Sequence, residues 1–275
     1  MKKLFALLLT LAMVLSLAAC GAKEEPAKTE EPAKTEEPAA ESKLPTVEAG
    51  KLHMSTNAEF PPYEMIADDG SFEGIDVEVA QAIADKLGLE LVVDDMGFDA
   101  ALLAAQNGQS DIVMAGVTVN EERQAVMDFS DSYATGVQVV IVKEDSPIAT
   151  VDDLANAEMI GCQAATTGYI YCSDSVENGG YGEDHVTAYD SGATAVMALV
   201  NGQVDAVVID NEPAKAFVAA NPGLKILDTE FAVEDYAIGM KKGNTELLNA
   251  INAAMAELKA DGTFQAIVDK YITAE

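Results

Sequence analysis

Asn107-Gly108-Gln109-Ser110-Asp111-Ile112-Val113 returns 94 positions later as Asn201-Gly202-Gln203-Val204-Asp205-Ala206-Val207. Each copy follows an Ala/Leu-rich stretch at helical spacing, stops it with glycine, and opens an apolar run that reads as a strand. The first run ends in the loop Ala115-Gly116-Val117-Thr118, the second in Asp210-Asn211-Glu212-Pro213. Glycine after a helix is common, so chance likeness stays open beside the preferred reading, two lobes of like topology. Open α/β sheets bind ligands beyond the carboxyl ends of their strands. Two such edges facing each other would make a cleft.

Outward from these copies the pattern alternates. Residues 51–56 read as a strand, followed by a loop at Phe60-Pro61-Pro62-Tyr63. Ile75, Val79, Ala82, Ile83 and Leu87 recur at helical spacing before Gly88. A strand is expected at Leu89–Val93, a helix at Asp99–Asn107, a strand at Ile112–Ala115 and a β-branched run at Val137–Val142. A further segment opens at Asp152-Asp153-Leu154, then come a strand at 159–163 and a helix from about Gly168. A helix at 192–201, a strand at 204–209 and helices at about 244–260 and 262–272 complete the series. Strands interleaved with helices predict parallel α/β sheets.

Composition removes whole classes of function. With 47 Asp and Glu against 16 Lys and Arg, the formal charge of the 275 residues is −31, a surface that repels nucleic-acid backbones. Hydrophobic residues make up 49%, enough for a real core. Three cysteines and two histidines, His53 and His185, show no metal-ligand spacing, so no metal and no cofactor are expected. No phosphate loop and no Gly-x-Ser-x-Gly elbow occurs.

The amino end sets the compartment. Met1-Lys2-Lys3 precedes an apolar run from Leu4 to Leu17, too short for a comfortable bilayer span, so residues 1–19 read as a signal peptide. Leu17-Ala18-Ala19-Cys20 looks like a bacterial lipobox, which implies a lipid on Cys20; ordinary secretion is the alternative. Glu24-Glu25-Pro26-Ala27-Lys28-Thr29 repeats at 30–35 and less cleanly at 36–41. Residues 20–46 therefore read as an extended tether that spaces the folded part from a membrane, or as a linker needed only for its length.

Few side chains offer chemistry. Arg123 is the only arginine in the chain, and a guanidinium grips a carboxylate bidentately where an ammonium does not. Thr118 and Glu121 have capping-box spacing, which puts Arg123 in a first helical turn, a poor place for a cation unless an anion sits there. A salt bridge to Asp128 or Asp131 is the alternative. Gln163-Ala164-Ala165-Thr166-Thr167-Gly168 joins a strand to a helix and could offer backbone N–H groups to a carboxylate, or be an ordinary turn. Asp210 closes a buried run, where it could pair with an ammonium or cap a helix before Pro213. Phe60 and Phe98, on loops after strands, could wall a pocket or pack in the core. Asn57 could hydrogen-bond a ligand or cap a turn. Cys162 and Cys172 could form a disulfide or stay inert thiols, and His53 reads as structural. A lone arginine, an acid and two anion-binding turns suit a zwitterion.

Thr56-Asn57-Ala58-Glu59-Phe60-Pro61-Pro62-Tyr63-Glu64, Gly74-Ile75-Asp76-Val77-Glu78 and Ala115-Gly116-Val117-Thr118, with Glu122-Arg123 and Asp128-Phe129-Ser130, resemble the extracellular solute-binding proteins of family 3. These are the amino-acid receptors of ABC importers, and the resemblance runs over about 50–272. It implies a type II periplasmic-binding-protein fold of two α/β lobes, 47–138 with 236–275 and 139–235, joined by hinge strands near 135–141 and 234–239. It implies that Arg123 holds a ligand α-carboxylate, helped by Thr118 and the Thr166/Thr167 turn, and that Asp210 and the Gly116 backbone take the α-ammonium. Asn57, Phe60, Phe98 and Gln163 would line the side-chain pocket. One departure is Ala165, where the family usually carries glycine; another is Asn57, where basic-amino-acid binders often carry an acid. The implied protein is a monomeric, lipid-anchored receptor on the outer face of the cell membrane that hands a free amino acid to a permease and is not an enzyme. A surface sensor and a dehydratase-type enzyme on the same fold are the alternatives.

Overall fold

Lys51–Thr56 alternates partly and fully buried side chains and forms β1, around which the first sheet is laid. The computed structural model describes residues 44–272, so the expectations for 1–19 and Cys20, and nearly all of the 20–46 tether, lie outside the described residues. After β1 come three short strands, β2 (Glu59–Phe60), β3 (Glu64–Ile66) and β4 (Phe72–Glu73), which make a small antiparallel sheet of their own. Helix α1 (Ile75–Leu87) ends at Gly88, whose left-handed backbone (φ 67°) carries no Cβ penalty. Then follow β5 (Glu90–Asp95), α2 (Phe98–Asn107), β6 (Ile112–Val113), α3 (Glu121–Val126) and β7 (Met127–Phe129).

The chain then crosses into a second sheet. Its elements are β8 (Ala134–Lys143), β9 (Ile160–Gln163), α4 (Thr167–Ser173), β10 (Val186–Tyr189), α5 (Gly192–Val200), β11 (Ala206–Asp210), α6 (Asn211–Ala220), β12 (Leu224–Ile226) and β13 (Ala232–Tyr236). It returns as β14 (Gly239–Lys241) and closes with α7 (Thr245–Ala260) and α8 (Thr263–Tyr271). The first sheet has the order β5-β1-β6-β14-β7, and the second runs β10-β9-β11-β8-β12 with β13 also on β8. The result is two α/β lobes joined by the paired strands β8 and β13, a type II periplasmic-binding-protein fold.

The repeated heptapeptide does the same work in both lobes. Gly108 and Gly202 both take left-handed backbones, φ 71° and 72°. The next residue closes each helix, Gln109 N–H donating to Ala104 O at 2.8 Å and Gln203 N–H to Ala198 O at 2.9 Å. Each aspartate then clamps the start of the neighbouring strand. Asp111 accepts from Val47 N and His53 N, and Asp205 accepts from Glu158 N and Met159 N. Strands β6 and β11 follow, each parallel to a neighbour, β1 and β9.

Two expectations are corrected, and some strands went unseen. The sheets are mixed, because the chain comes back between lobes: β14 runs antiparallel to β6 and β7, and β8 antiparallel to β11, β12 and β13. Asp210-Asn211-Glu212-Pro213 is not a loop but the first turn of α6, which Pro213 tolerates at its N-terminal end. The short strands β2–β4, β7, β10 and β12–β14 escape periodicity, since two to five residues show no period.

Where β8 and β13 pair, Gly136 lies opposite Glu234, and its backbone is pressed against the Tyr236 ring. A Cβ there would stand 2.6 Å from the Tyr236 hydroxyl oxygen, and Tyr236 is fully buried. Gly136→Ala is therefore expected to cost about 1–3 kcal/mol by overpacking, read by urea unfolding. An unchanged midpoint would show that the ring can move aside.

Candidate functional site

The carboxyl ends of β1, β6, β9 and β11 point to one place between the lobes, as the topology requires of open α/β sheets. A small cavity of about 20 Å³ lies there, about the room a single water needs. The first lobe lines it with Asn57, Phe60, Glu64, Phe98, Ala115, Gly116, Thr118 and Arg123, the second with Gln163, Thr166, Thr167 and Asp210. All ten site residues expected from the sequence thus meet around one volume.

Arg123 is 7% exposed. Its Nη1 donates to Thr118 O at 2.8 Å and its Nη2 to Ala165 O at 3.0 Å, across the lobes. Its guanidinium lies over the Phe98 ring, with Cζ 5.5 Å from the centroid. Among the described residues it has no ion-pair partner; the alternative bridge to Asp128 or Asp131 does not form. Burial pushes its pKa down, and the Glu234 charge works against that. A guanidinium whose hydrogen bonds go to backbone carbonyls lacks a direct ion-pair partner at that fork.

The local caps differ from the spacing argument. Asn120, not Thr118, caps α3: Asn120 Oδ1 accepts from Arg123 N at 2.8 Å. Thr118 is held too far upstream, bridged to Tyr236 with Val119 N bonded to Asp235 O, so its hydroxyl turns inward and donates to Glu234 Oε2 at 3.1 Å. Thr166 caps α4, accepting from Tyr169 N and donating to Gln163 O. Thr167 donates to Glu234 Oε2 at 2.9 Å. Between these turns Ala165 holds a left-handed backbone, φ 62°, a conformation glycine adopts freely, and this aims its carbonyl at Arg123.

Opposite the arginine the cavity is acidic. Asp210 stands at the N-cap position of α6 but does not cap it. Its carboxylate accepts from Gln138 Nε2 at 2.8 Å and from the Tyr236 hydroxyl. Burial raises its pKa to about 7, with the Glu234 charge adding to that and the two hydrogen bonds opposing it. Gly116, at φ 55°, donates its N–H to Asp76 Oδ2, and a Cβ on it would stand 2.8 Å from Phe60 Cε1. Burial lifts Asp76 to about 6 despite the hydrogen bonds from Gly116 and Tyr133. Glu64 has both carboxyl oxygens buried without a partner among the described residues; burial and the Asp76 charge push its pKa well up.

Asn57 Oδ1 accepts from Gln163 Nε2 at 2.9 Å, a second bond across the lobes. Phe60 and Phe98 do not lie on loops: Phe60 ends β2 and Phe98 is the first residue of α2, so regular backbone fixes both rings. Cys162 and Cys172 are free thiols, fully buried in the second lobe's core. His53 bonds Asp94 Oδ2 through Nδ1 at 2.8 Å, a structural role away from the cavity. Glu64, Ala115, Asp76, Gln138, Glu234 and Tyr236 were not singled out from sequence. Glu64 and Asp76 lie inside the quoted motifs, but nothing in the acidic stretch around Glu234 marks it.

The sequence profile of the bacterial extracellular solute-binding proteins, family 3, matches residues 52–274. The chain is 32% identical over 231 residues to the L-cystine-binding protein TcyJ of Escherichia coli, covering 83% of this chain and 85% of that one. It is 30% identical to the ABC transporter glutamine-binding protein GlnH of Bacillus subtilis, over 99% of this chain and 98% of that one. A solved ancestral arginine-binding protein bound to arginine superimposes with a TM-score of 0.75 at 38% identity, covering 81% of this chain and 98% of the other.

Proposed function

The chain belongs to the bacterial extracellular solute-binding proteins, family 3, which bind solutes and are not enzymes, and on that footing we propose that its cleft takes a free L-amino acid. The single observation that carries this is Arg123, a buried cation whose bonds in the cavity go only to two backbone carbonyls. A carboxylate is the group that completes such a fork. An α-ammonium would face Asp210 and the Gly116 carbonyl, with Phe60 and Phe98 flanking the side chain. These charge-assisted bonds replace the water that both ends of a zwitterion give up.

Carboxyls outnumber cations around the cavity: Glu64 and Asp210 line it, and Asp76 and Glu234 bond to its lining residues Gly116, Thr118 and Thr167, all set against one arginine. A side chain rich in N–H donors, cationic or amide, answers that excess better than an acidic or aliphatic one. Ligand touching both 47–138 with 236–275 and 139–235 favours the closed arrangement, because only there do Arg123 and Asp210 reach it together. A membrane permease of the ABC class would read that closed form of a monomer carried on a lipidated Cys20.

A thermal-shift panel of the twenty amino acids and L-cystine tests this, since a ligand that binds only the folded state raises Tm. The relatives' names make L-arginine, L-glutamine and L-cystine its first members. A shift with one or a few amino acids, and none with dipeptides or sugars, is expected. No shift with any amino acid would overturn the proposal.

A further inference from the structure

Thr118, Gln138 and Thr167 stand on three separate segments, yet each aims a hydrogen at one oxygen atom. Glu234 Oε2 accepts from Thr118 Oγ1 at 3.1 Å, from Gln138 Nε2 at 3.1 Å and from Thr167 Oγ1 at 2.9 Å. The carboxylate is 6% exposed, and Oε1 is buried without a partner among the described residues. Of the surrounding acids, Glu234 acts most strongly on Arg123.

A hydroxyl has one hydrogen to give. While Glu234 takes those of Thr118 and Thr167, neither threonine can donate to a second carboxylate at the same time. Two carboxylates beside one guanidinium also repel each other. We propose that Glu234 is a positioning residue that competes with the ligand α-carboxylate for the Thr118 and Thr167 hydroxyls, and thereby holds the affinity of the cleft below what its donors could give. This deepens the amino-acid reading and rests on it. The exchange has a clear balance: the ligand carboxylate gains two O–H donors, and Glu234 retains Gln138 Nε2.

Glu234→Gln keeps the shape and one acceptor oxygen but removes the charge, and a neutral acceptor holds a hydroxyl about half as strongly. Calorimetric titration of wild type, E234Q and E234A with L-arginine, L-glutamine and the α-carboxamide of each is the test. E234Q is expected to bind the free acid roughly tenfold more tightly, and to bind the carboxamide, which brings no second negative charge, with little change. A purely structural residue would instead lower the affinity for both. Wild-type binding with no gain in E234Q or E234A, or a gain equal for acid and carboxamide, overturns the proposal alone. Failure of both variants to melt cooperatively makes Glu234 a structural clasp and overturns it as well. Absence of amino-acid binding by the wild type refutes the functional reading beneath it.

Discussion

Arg123→Ala is expected to reduce amino-acid affinity by at least about 30-fold, because truncating one partner of a buried charge pair costs about 2–5 kcal/mol. Arg123→Lys should fall between, since an ammonium keeps the charge but cannot present the fork. The fold should survive both changes. Among the described residues Arg123 forms no ion pair, so its removal also relieves the cost of burying it. Against that stand two lost bonds to Thr118 O and Ala165 O, worth about 1 kcal/mol each. Calorimetric titration measures the affinity and thermal unfolding of the ligand-free protein measures the stability. Wild-type affinity in R123A would show that the carboxylate is held elsewhere.

The ligand-free protein should be more stable at pH 5 than at pH 8, the reverse of ordinary acid denaturation. Asp210 titrates near 7 and Asp76 near 6 in the folded chain, and Glu64 is also raised, all because burial disfavours their charge. Unfolded carboxyls titrate near 4, so between those values the folded state holds protons that the unfolded state has released. Stability then falls as pH rises, by up to about 1.4 kcal/mol per unit for each such group. Exposed acids with lowered values, Asp153 and Asp261, act in the opposite sense but only at lower pH. Ligand offsets the Asp210 share of that slope. An ammonium favours the ionised form of Asp210, so affinity should rise up to tenfold per unit as pH climbs toward 7. Melting curves from pH 5 to 8, with and without ligand, check both signs. Asp210→Asn should flatten the affinity profile, and a flat profile in the wild type would refute the assignment of the ammonium to Asp210.

Much of this is legible in the sequence, for reasons that differ from residue to residue. Arg123 stood out because a chain that otherwise uses lysine carries one arginine, and a planar fork has few uses. The lobes were legible because Gly108 and Gly202 end helices that strands must follow, and the two aspartates beyond them do the same local work. Strand direction was not legible: nothing local to Gly239–Lys241 says that it will lie between β6 and β7. The carboxyl network escaped for a similar reason. Glu234 matters only because β13 pairs with β8 and brings it to Thr118, Gln138 and Thr167, which lie 116, 96 and 67 positions away. In the sequence it is one more acid among 47. Thr118 shows the converse, a side chain with capping-box spacing that a distant strand recruits for another purpose.

The position of β14 has a consequence for how the chain is made. β14 lies inside the first sheet, between β6 and β7, although nearly the whole second lobe precedes it in the chain. A polypeptide emerging from its amino end can complete the second sheet as soon as β13 appears, but the first stays split until the last few dozen residues arrive. Non-local pairing of that kind is slow and leaves strand edges open meanwhile. Truncation just after Tyr236 should therefore give a product with one finished half and one aggregation-prone half, rather than a shortened but intact molecule.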